Sequence, residues 1–320
     1  MKTASPDIDD AAQGSEMKRP LPDIPPELHS LVAEVGKRWT VNRSDNIALM
    51  IERFTKILRA FPMEGIAVRR DLGYGQHPRQ QLDIYTPEDD RQDRAAVVFV
   101  HGGAFMDGHR NRTERIYSNV PLYLARNGVV RINIGYRLGG DVGYPGATED
   151  VALAIAWTRA HTAELGVDPD RMFLMGHSAG AAHAGSYAYD KRLHPAEGPG
   201  IAGFIVVSGR VRADNRPENP SADKVVAYYG ASDAARLDDV SPTSHVASDS
   251  VPTFVAWAEY ENPLLDMHCA ELVFRLSQAK KRSPPVCWLA GHNHTSTIGH
   301  IGTSDEALGR AILEVIADPR

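Results

Sequence analysis

"RMFLMGHSAGAAHAGSYAY", Arg171 to Tyr189, changes character at its centre. An apolar run of strand type, Met172 to Met175, passes directly into Gly-His-Ser-Ala-Gly, and the small residues beyond it have helical composition. A chain that turns from strand to helix within so few residues places Ser178 at the tip of a sharp bend. Gly176 and Gly180 leave room for the backbone approaches that such a bend requires. The Ser178 hydroxyl then projects at the start of a helix, where unpaired amides and the helix dipole favour developing negative charge. The pattern is G-x-S-x-G, a nucleophile elbow. Those five residues alone fit an ordinary strand-to-helix turn equally well, so the rest of the chain must decide.

Outward from the elbow, strands and helices alternate. "GIAVRRDLGY", "QLDIYTP", "AAVVFVHGG" and "VVRINIGYR" read as strands, and "DVALAIAWTRAHTAEL" as a helix, all ahead of the elbow strand. Beyond it come the strands "IAGFIVVSG", "PTFVAWAEYE" and "PPVCWLAG", with the helices "LDMHCAELVFRLSQAK" and "SDEALGRAILEVIA". Several strands are continuously apolar, as expected where helices cover both faces of a parallel sheet. The fold class is therefore α/β. Residues 1–20 are expected to form a disordered polar tail, 21–64 an N-terminal helical cap segment, and 65–320 the main domain. A Pro-, Ser- and Asp-rich stretch at about 210–250 interrupts the rhythm and is expected to be a structured insertion or a functional loop.

Composition bounds the partners. The 320 residues carry a formal net charge of -6 without a basic stripe, so nucleic acid is not expected. No apolar run approaches the ~18 residues that span a bilayer, and the first twenty residues lack the apolar core of a secretory signal, which makes the cytoplasm the expected compartment. Cys269 and Cys287 lack metal-ligand spacing and read as buried free thiols. His109, His177, His183 and His268 likewise lack ligand spacing, so no metal site is expected. Trp257 and Trp288 are expected in the core, and Tyr228 and Tyr229 near the mouth of a pocket.

A serine hydroxyl needs a base to take its proton and a carboxylate to orient that base. In open α/β sheets both should lie just past strand ends. Glu261 follows "PTFVAWAEY", and His292, Asn293 and His294 follow "PPVCWLAG". The order Ser178, Glu261, His294 is that of α/β hydrolases. Glu259 and Asp266 are the alternative acids; His292 is the alternative base, and His300 lies farther along the chain. A tetrahedral intermediate also needs hydrogen-bond donors for its oxyanion. The strand ending in His101-Gly102-Gly103-Ala104 offers the amides of Gly102 and Gly103, to be joined by the amide of Ala179 after the serine. His101 reads as a structural residue that hydrogen-bonds this loop.

Together, His101 to Phe105, the "GYR" of Gly135 to Arg137, "YPGATEDVALAIAW", "LGVDPDRMFLMGHSAG" and "AEYENPLLD" resemble the hormone-sensitive-lipase-like branch of α/β-hydrolase carboxylesterases, from about Leu82 onward. The resemblance implies an eight-stranded, mostly parallel sheet with a cap over the pocket, partly supplied by the N-terminal helices. Where that branch has Asp before Pro-Leu, this chain has Glu261-Asn262, and its histidine loop reads "GHNHTSTIGH" in place of Gly-x-x-His-Gly-Phe. The expected activity is hydrolysis of small, short-acyl esters by a serine carboxylesterase that needs no cofactor, with water as co-substrate. An amidase or aryl formamidase is the alternative, because the same machinery cleaves both bonds. A hydrolase-fold ligand receptor is a further one, disfavoured by the retained histidine. A homodimer is compatible with this reading.

Overall fold

The computed structural model describes residues 18–319; most of the expected disordered tail lies outside the described residues. Two helices, α1 (Pro26–Lys37) and α2 (Arg43–Leu58), precede eight strands: β1 (Ile66–Gly73), β2 (Gln81–Pro87), β3 (Arg94–Val100), β4 (Val130–Ile134), β5 (Val167–His177), β6 (Gly203–Val207), β7 (Thr253–Tyr260) and β8 (Val286–Asn293). The strands form one sheet in the order β1-β2-β4-β3-β5-β6-β7-β8. β2 is antiparallel to both its neighbours, and every other pairing is parallel. This is the α/β-hydrolase architecture, and all eight strands read from the sequence are present.

Alternation along the strands explains the two cores. In β3 every side chain is buried. Ala96, Val98 and Val100 face one cluster with Ile132 and Leu174, whereas Val97 and Phe99 face the other with Met175 and Val207. Helices must therefore cover both faces. The connecting helices in chain order are α3 (Asn119–Arg126), α4 (Gly146–Ala160), α5 (Thr162–Leu165), α6 (Gly180–Tyr189), α7 (Ala222–Tyr229), α8 (Ala234–Asp239), α9 (Leu265–Lys280), α10 (Ser296–Gly299) and α11 (Ala307–Ala317). α4, α6 and α9 supply Val151, Ala182 and Leu272 to the first core, and α3 and α11 supply Leu122 and Ile312 to the second.

The N-terminal helices join that second core. α1 buries Leu28, Val32 and Val35, and α2 buries Met50, Phe54 and Leu58, each set at helical spacing on one face. α1 lies beside the end of β8, where Asn293 Nδ2 donates to the Val32 carbonyl at 3.3 Å. Just beyond α1, Trp39 Nε1 donates to Asn262 Oδ1 at 3.0 Å. The stretch at 210–250 is structured, carrying α7, α8 and a short 3-10 turn at Pro242–His245.

Three sequence expectations are corrected. Trp288 is 55% exposed, because β8 is an edge strand with one open face; Trp257, one strand inward, is half-buried. Tyr228 and Tyr229 are buried. Tyr228 stacks on Phe105 with ring centroids 4.8 Å apart, and neither tyrosine lines the cavity described below. Both cysteines are free, but only Cys269 is fully buried; Cys287, on β8, is half-buried. Among the described residues, no helix is long and apolar enough to cross a membrane.

Candidate active site

The site forms where five strands end on the same edge of the sheet. β5 ends at His177, β6 at Val207, β7 at Tyr260, β8 at Asn293 and β3 at Val100. The next residue in each case contributes to the site or its support: Ser178, Ser208, Glu261, His294 and His101.

Ser178 occupies the bend between β5 and α6 with a φ of 55°. That left-handed conformation is strained for a residue with a Cβ, and such strain is typical of a nucleophile elbow. The bend is held by the Ser178 amide donating to the Val207 carbonyl at 3.1 Å, and by the Arg210 amide donating to the Ser178 carbonyl at 2.9 Å. Gly180 permits it sterically: a Cβ there would lie 2.2 Å from the Val100 carbonyl oxygen and 2.4 Å from that of His101.

Three side chains from distant parts of the chain then meet. His294 Nε2 lies 3.1 Å from Ser178 Oγ, and its Nδ1 lies 2.6 Å from Glu261 Oε2. A carboxylate can only accept, so Nδ1 carries the ring proton and Nε2 is left with a lone pair facing the serine hydroxyl. Glu261 is buried and well satisfied. Its Oε1 accepts from Ser208 Oγ and from the Ala258 amide at 3.0 Å, and its Oε2 also accepts from the Asn262 amide at 3.3 Å. Burial alone would raise the Glu261 pKa, but the His294 imidazole and these donors outweigh it and hold the carboxyl below its ordinary value.

The alternatives from sequence point elsewhere. Glu259 is exposed and accepts from the Gly291 amide at 2.8 Å, and Asp266 lies exposed in the first turn of α9. His292 donates neither nitrogen to the serine: Nε2 lies 3.1 Å from Asp305 Oδ2 and Nδ1 lies 3.1 Å from Ser296 Oγ. His300 is buried with Nδ1 on the Ser296 carbonyl at 2.6 Å. His292, His300 and Asp305 form a three-residue group whose ligand atoms lie within 4.8 Å of one another, a grouping that chain spacing did not suggest. A cation there would have to displace the hydrogen bond between His292 and Asp305.

The oxyanion loop follows β3. His101 Nδ1 donates to the Gly102 carbonyl at 2.8 Å, consistent with a structural residue. The Gly102 amide is already used, donating to Tyr117 Oη at 3.2 Å, and Gly102 does not line the cavity. The expectation that it serves an oxyanion is corrected on that ground. Gly103 and Ala104 line the cavity instead, and their amides and that of Ala179 have no acceptor among the described residues. Gly103 is required for close approach, since a Cβ would fall 1.7 Å from the Asp107 carbonyl oxygen. Tyr117 also supports the adjacent His177, its hydroxyl donating to Nδ1 at 3.0 Å. Burial, with His294 next in effect, pushes His177 well below the ordinary imidazole pKa and keeps it neutral.

Around Ser178 and His294 lies a cavity of about 290 Å³. α2 contributes Ile47 and Ile51 to its wall, and the 210–250 stretch contributes Arg210, Pro220, Ser221 and Lys224. Sequence reasoning missed Ser208, Tyr117, Ala104 and Arg210. Ser208 and Arg210 had a usable clue in lying just past the end of β6, and Ala104 had one in following Gly103 in the oxyanion loop; Tyr117 had none.

Comparison with known proteins agrees with this geometry. The BD-FAE family profile matches residues 82–296. The chain belongs to the BD-FAE family. Among curated relatives, the probable carboxylic ester hydrolase LipM of Mycobacterium tuberculosis is 28% identical over 266 residues, covering 72% of this chain and 55% of LipM. The probable isoprenylcysteine alpha-carbonyl methylesterase ICMEL1 of Arabidopsis thaliana is 34% identical over 114 residues, 36% of this chain and 23% of that protein. The chain thus spans about half or less of the length of these relatives. Solved structures with the same fold include esterase B of Lactobacillus rhamnosis, with a TM-score of 0.64, 18% identity and coverage of 92% of this chain and 96% of that one. Esterase 2 of Thermogutta terrifontis, phosphonylated by sarin, gives a TM-score of 0.63 at 21% identity, covering 79% and 93%.

Proposed function

We propose that this BD-FAE family protein is a serine carboxylic ester hydrolase that cleaves small, short-acyl esters through an acyl-enzyme intermediate. The observation that carries the reading is the continuous hydrogen-bond chain from Ser178 through His294 to the buried Glu261, opening on a cavity.

In this mechanism His294 Nε2 takes the Ser178 proton as Oγ attacks the ester carbonyl. Glu261 keeps the imidazole in the required tautomer and stabilises its protonated form. The amides of Gly103, Ala104 and Ala179 receive the oxyanion, that of Ala179 aided by its place at the start of α6. Protonated His294 then gives its proton to the departing alcohol. Neutral again, it activates water against the acyl-enzyme. α2 acts as the cap, its Ile47 and Ile51 setting an apolar ceiling. The small cavity supports short acyl groups. The resemblance to the hormone-sensitive-lipase-like branch is supported by the ordered motifs taken together: His101 to Phe105, Gly135 to Arg137, "YPGATEDVALAIAW", "LGVDPDRMFLMGHSAG" and "AEYENPLLD".

Hydrolysis of a graded series of p-nitrophenyl esters, run beside an aryl formamide, tests the reading. Turnover should be greatest for acetyl to butyryl esters and fall with longer chains. Formamide turnover far above every ester would replace the esterase reading with an amidase one.

A further inference from the structure

The cavity beside Ser178 is unusual in its charge. Arg43, Arg112, Arg210 and Lys224 line it, against a single acid, Asp107, although the chain as a whole carries a net charge of -6. Asp107 is exposed and its Oδ1 already accepts from the Gly108 amide at 2.7 Å. Among the described residues, none of the four cations has a carboxylate within ion-pair distance.

Arg210 is the decisive member. Its residue is 2% exposed, its Nη1 donates to Asn219 Oδ1 at 3.1 Å, and its Nε has no partner. Among the other deeply buried arginines, Arg110 pairs with Asp71 and with Asp83 and Arg94 pairs with Asp89, whereas Arg131, which also lacks a carboxylate and lies over the Phe99 ring at 4.8 Å, does not line the cavity; Arg210 is the carboxylate-free buried arginine that does. Burial, and then the nearby Arg43, push the Arg210 pKa down to about 10, so it remains charged at neutral pH. A buried guanidinium without a counterion, close to a second one, is costly to maintain. A bound anion would remove that cost.

We propose, resting on the esterase reading above, that the substrate is a small ester bearing a free carboxylate, which Arg210 and Arg43 hold while its ester carbonyl lies at Ser178. The planar guanidinium fork matches a carboxylate, and Asn219 fixes the orientation of the Arg210 head. Ile47, Ile51, Ile116 and Ile298 offer apolar wall for a short methylene spacer between the two ends. The volume is at the low end for ligand pockets, consistent with a spacer of a few carbons.

The test uses monoethyl glutarate and its neutral amide counterpart, ethyl glutaramate, which differ in charge but hardly in shape. Calorimetric binding to the Ser178→Ala variant separates recognition from chemistry. The anion should bind about 10- to 100-fold more tightly than the amide, as charge-assisted hydrogen bonds allow. In wild type the same ratio should appear in kcat/KM, chiefly through KM. Arg43→Gln and Arg210→Gln should each lower the anion-to-amide ratio several-fold. Because Arg210 is buried, its variant is first checked for a cooperative melt, and Arg43→Gln, on a half-exposed side chain, carries the test if that variant does not fold. Equal affinity for the two compounds, or no binding of the anion in the millimolar range, overturns the proposal whatever the turnover. Selective binding of the anion without turnover of any ester would uphold carboxylate recognition by Arg210 and Arg43 and defeat the esterase reading on which the substrate assignment rests.

Discussion

Replacing Glu261 by glutamine isolates what the carboxylate contributes, because the side chain keeps its shape and loses only its charge and two acceptor sites. Each carboxylate oxygen faces donors: Oε2 meets His294 Nδ1 at 2.6 Å and the Asn262 amide at 3.3 Å, and Oε1 meets Ser208 Oγ and the Ala258 amide at 3.0 Å. If the new NH2 group replaces Oε2, it confronts the His294 N–H and drives the ring to the opposite tautomer. Nε2 then carries hydrogen and cannot accept the Ser178 proton. If the NH2 replaces Oε1, it confronts the Ala258 N–H, and the imidazolium formed during attack still loses its counter-charge. Loss of the correct tautomer in a serine triad costs roughly 10,000-fold in kcat, so Glu261→Gln should lose about 1,000- to 10,000-fold on p-nitrophenyl butyrate. Glu259→Gln and Asp266→Asn, on exposed side chains, should stay within about threefold. Steady-state kinetics with a melting curve for each variant is the assay. A folded Glu261→Gln enzyme within tenfold of wild type would refute the reasoning.

Three further outcomes are expected. Gly180→Ala should destabilise the fold by roughly 1–3 kcal/mol or more, because its Cβ would lie 2.2 Å from the fixed Val100 carbonyl; an unchanged Tm would contradict this. Tyr117→Phe strands the buried Gly102 amide at a cost of about 1–3 kcal/mol and should lower kcat through the loop carrying Gly103, so unaltered kinetics and Tm together would count against it. Burial lowers His101 and His183 to about 3 and His300 to about 4, so the unfolded chain binds more protons below an ordinary histidine pKa. Their stabilisation is complete above pH ~6.5 and is lost by roughly 4 kcal/mol per pH unit on acidification toward those values, given ~1.4 for each group. Thermal melts should therefore collapse between pH 6.5 and 5, and a Tm that holds at pH 5 would show that these rings are not neutral and buried.

How much of this was legible beforehand follows from how local each cause is. Continuous apolarity in "AAVVFV" or "MFLM" reports burial on both faces, so the central strands were readable one at a time. Ser178 was readable because its bend needs small neighbours within two residues. Glu261 and His294 were readable because sheet topology places successive strand ends together, and the longer glutamate reaches the imidazole from one position before the usual aspartate. Trp288 was misplaced because a strand's position at the sheet edge is set by the whole topology and leaves no mark on its own composition. Gly102 was misassigned because its amide is taken by Tyr117, fifteen positions away across an irregular loop. The cationic lining was invisible for a similar reason: Arg43, Arg112, Arg210 and Lys224 converge from α2, the loop after β3, the end of β6 and α7, and no short window contains two of them.

The central claim is that Ser178 is an activated nucleophile, and active-site labelling tests it most directly. A fluorophosphonate probe, with the modified peptide mapped by mass spectrometry, should mark wild-type protein at Ser178 within minutes, mark Ser178→Ala not at all, and mark His294→Ala only slowly. A folded wild-type protein that stays unlabelled, or is labelled equally fast without His294, would contradict the account.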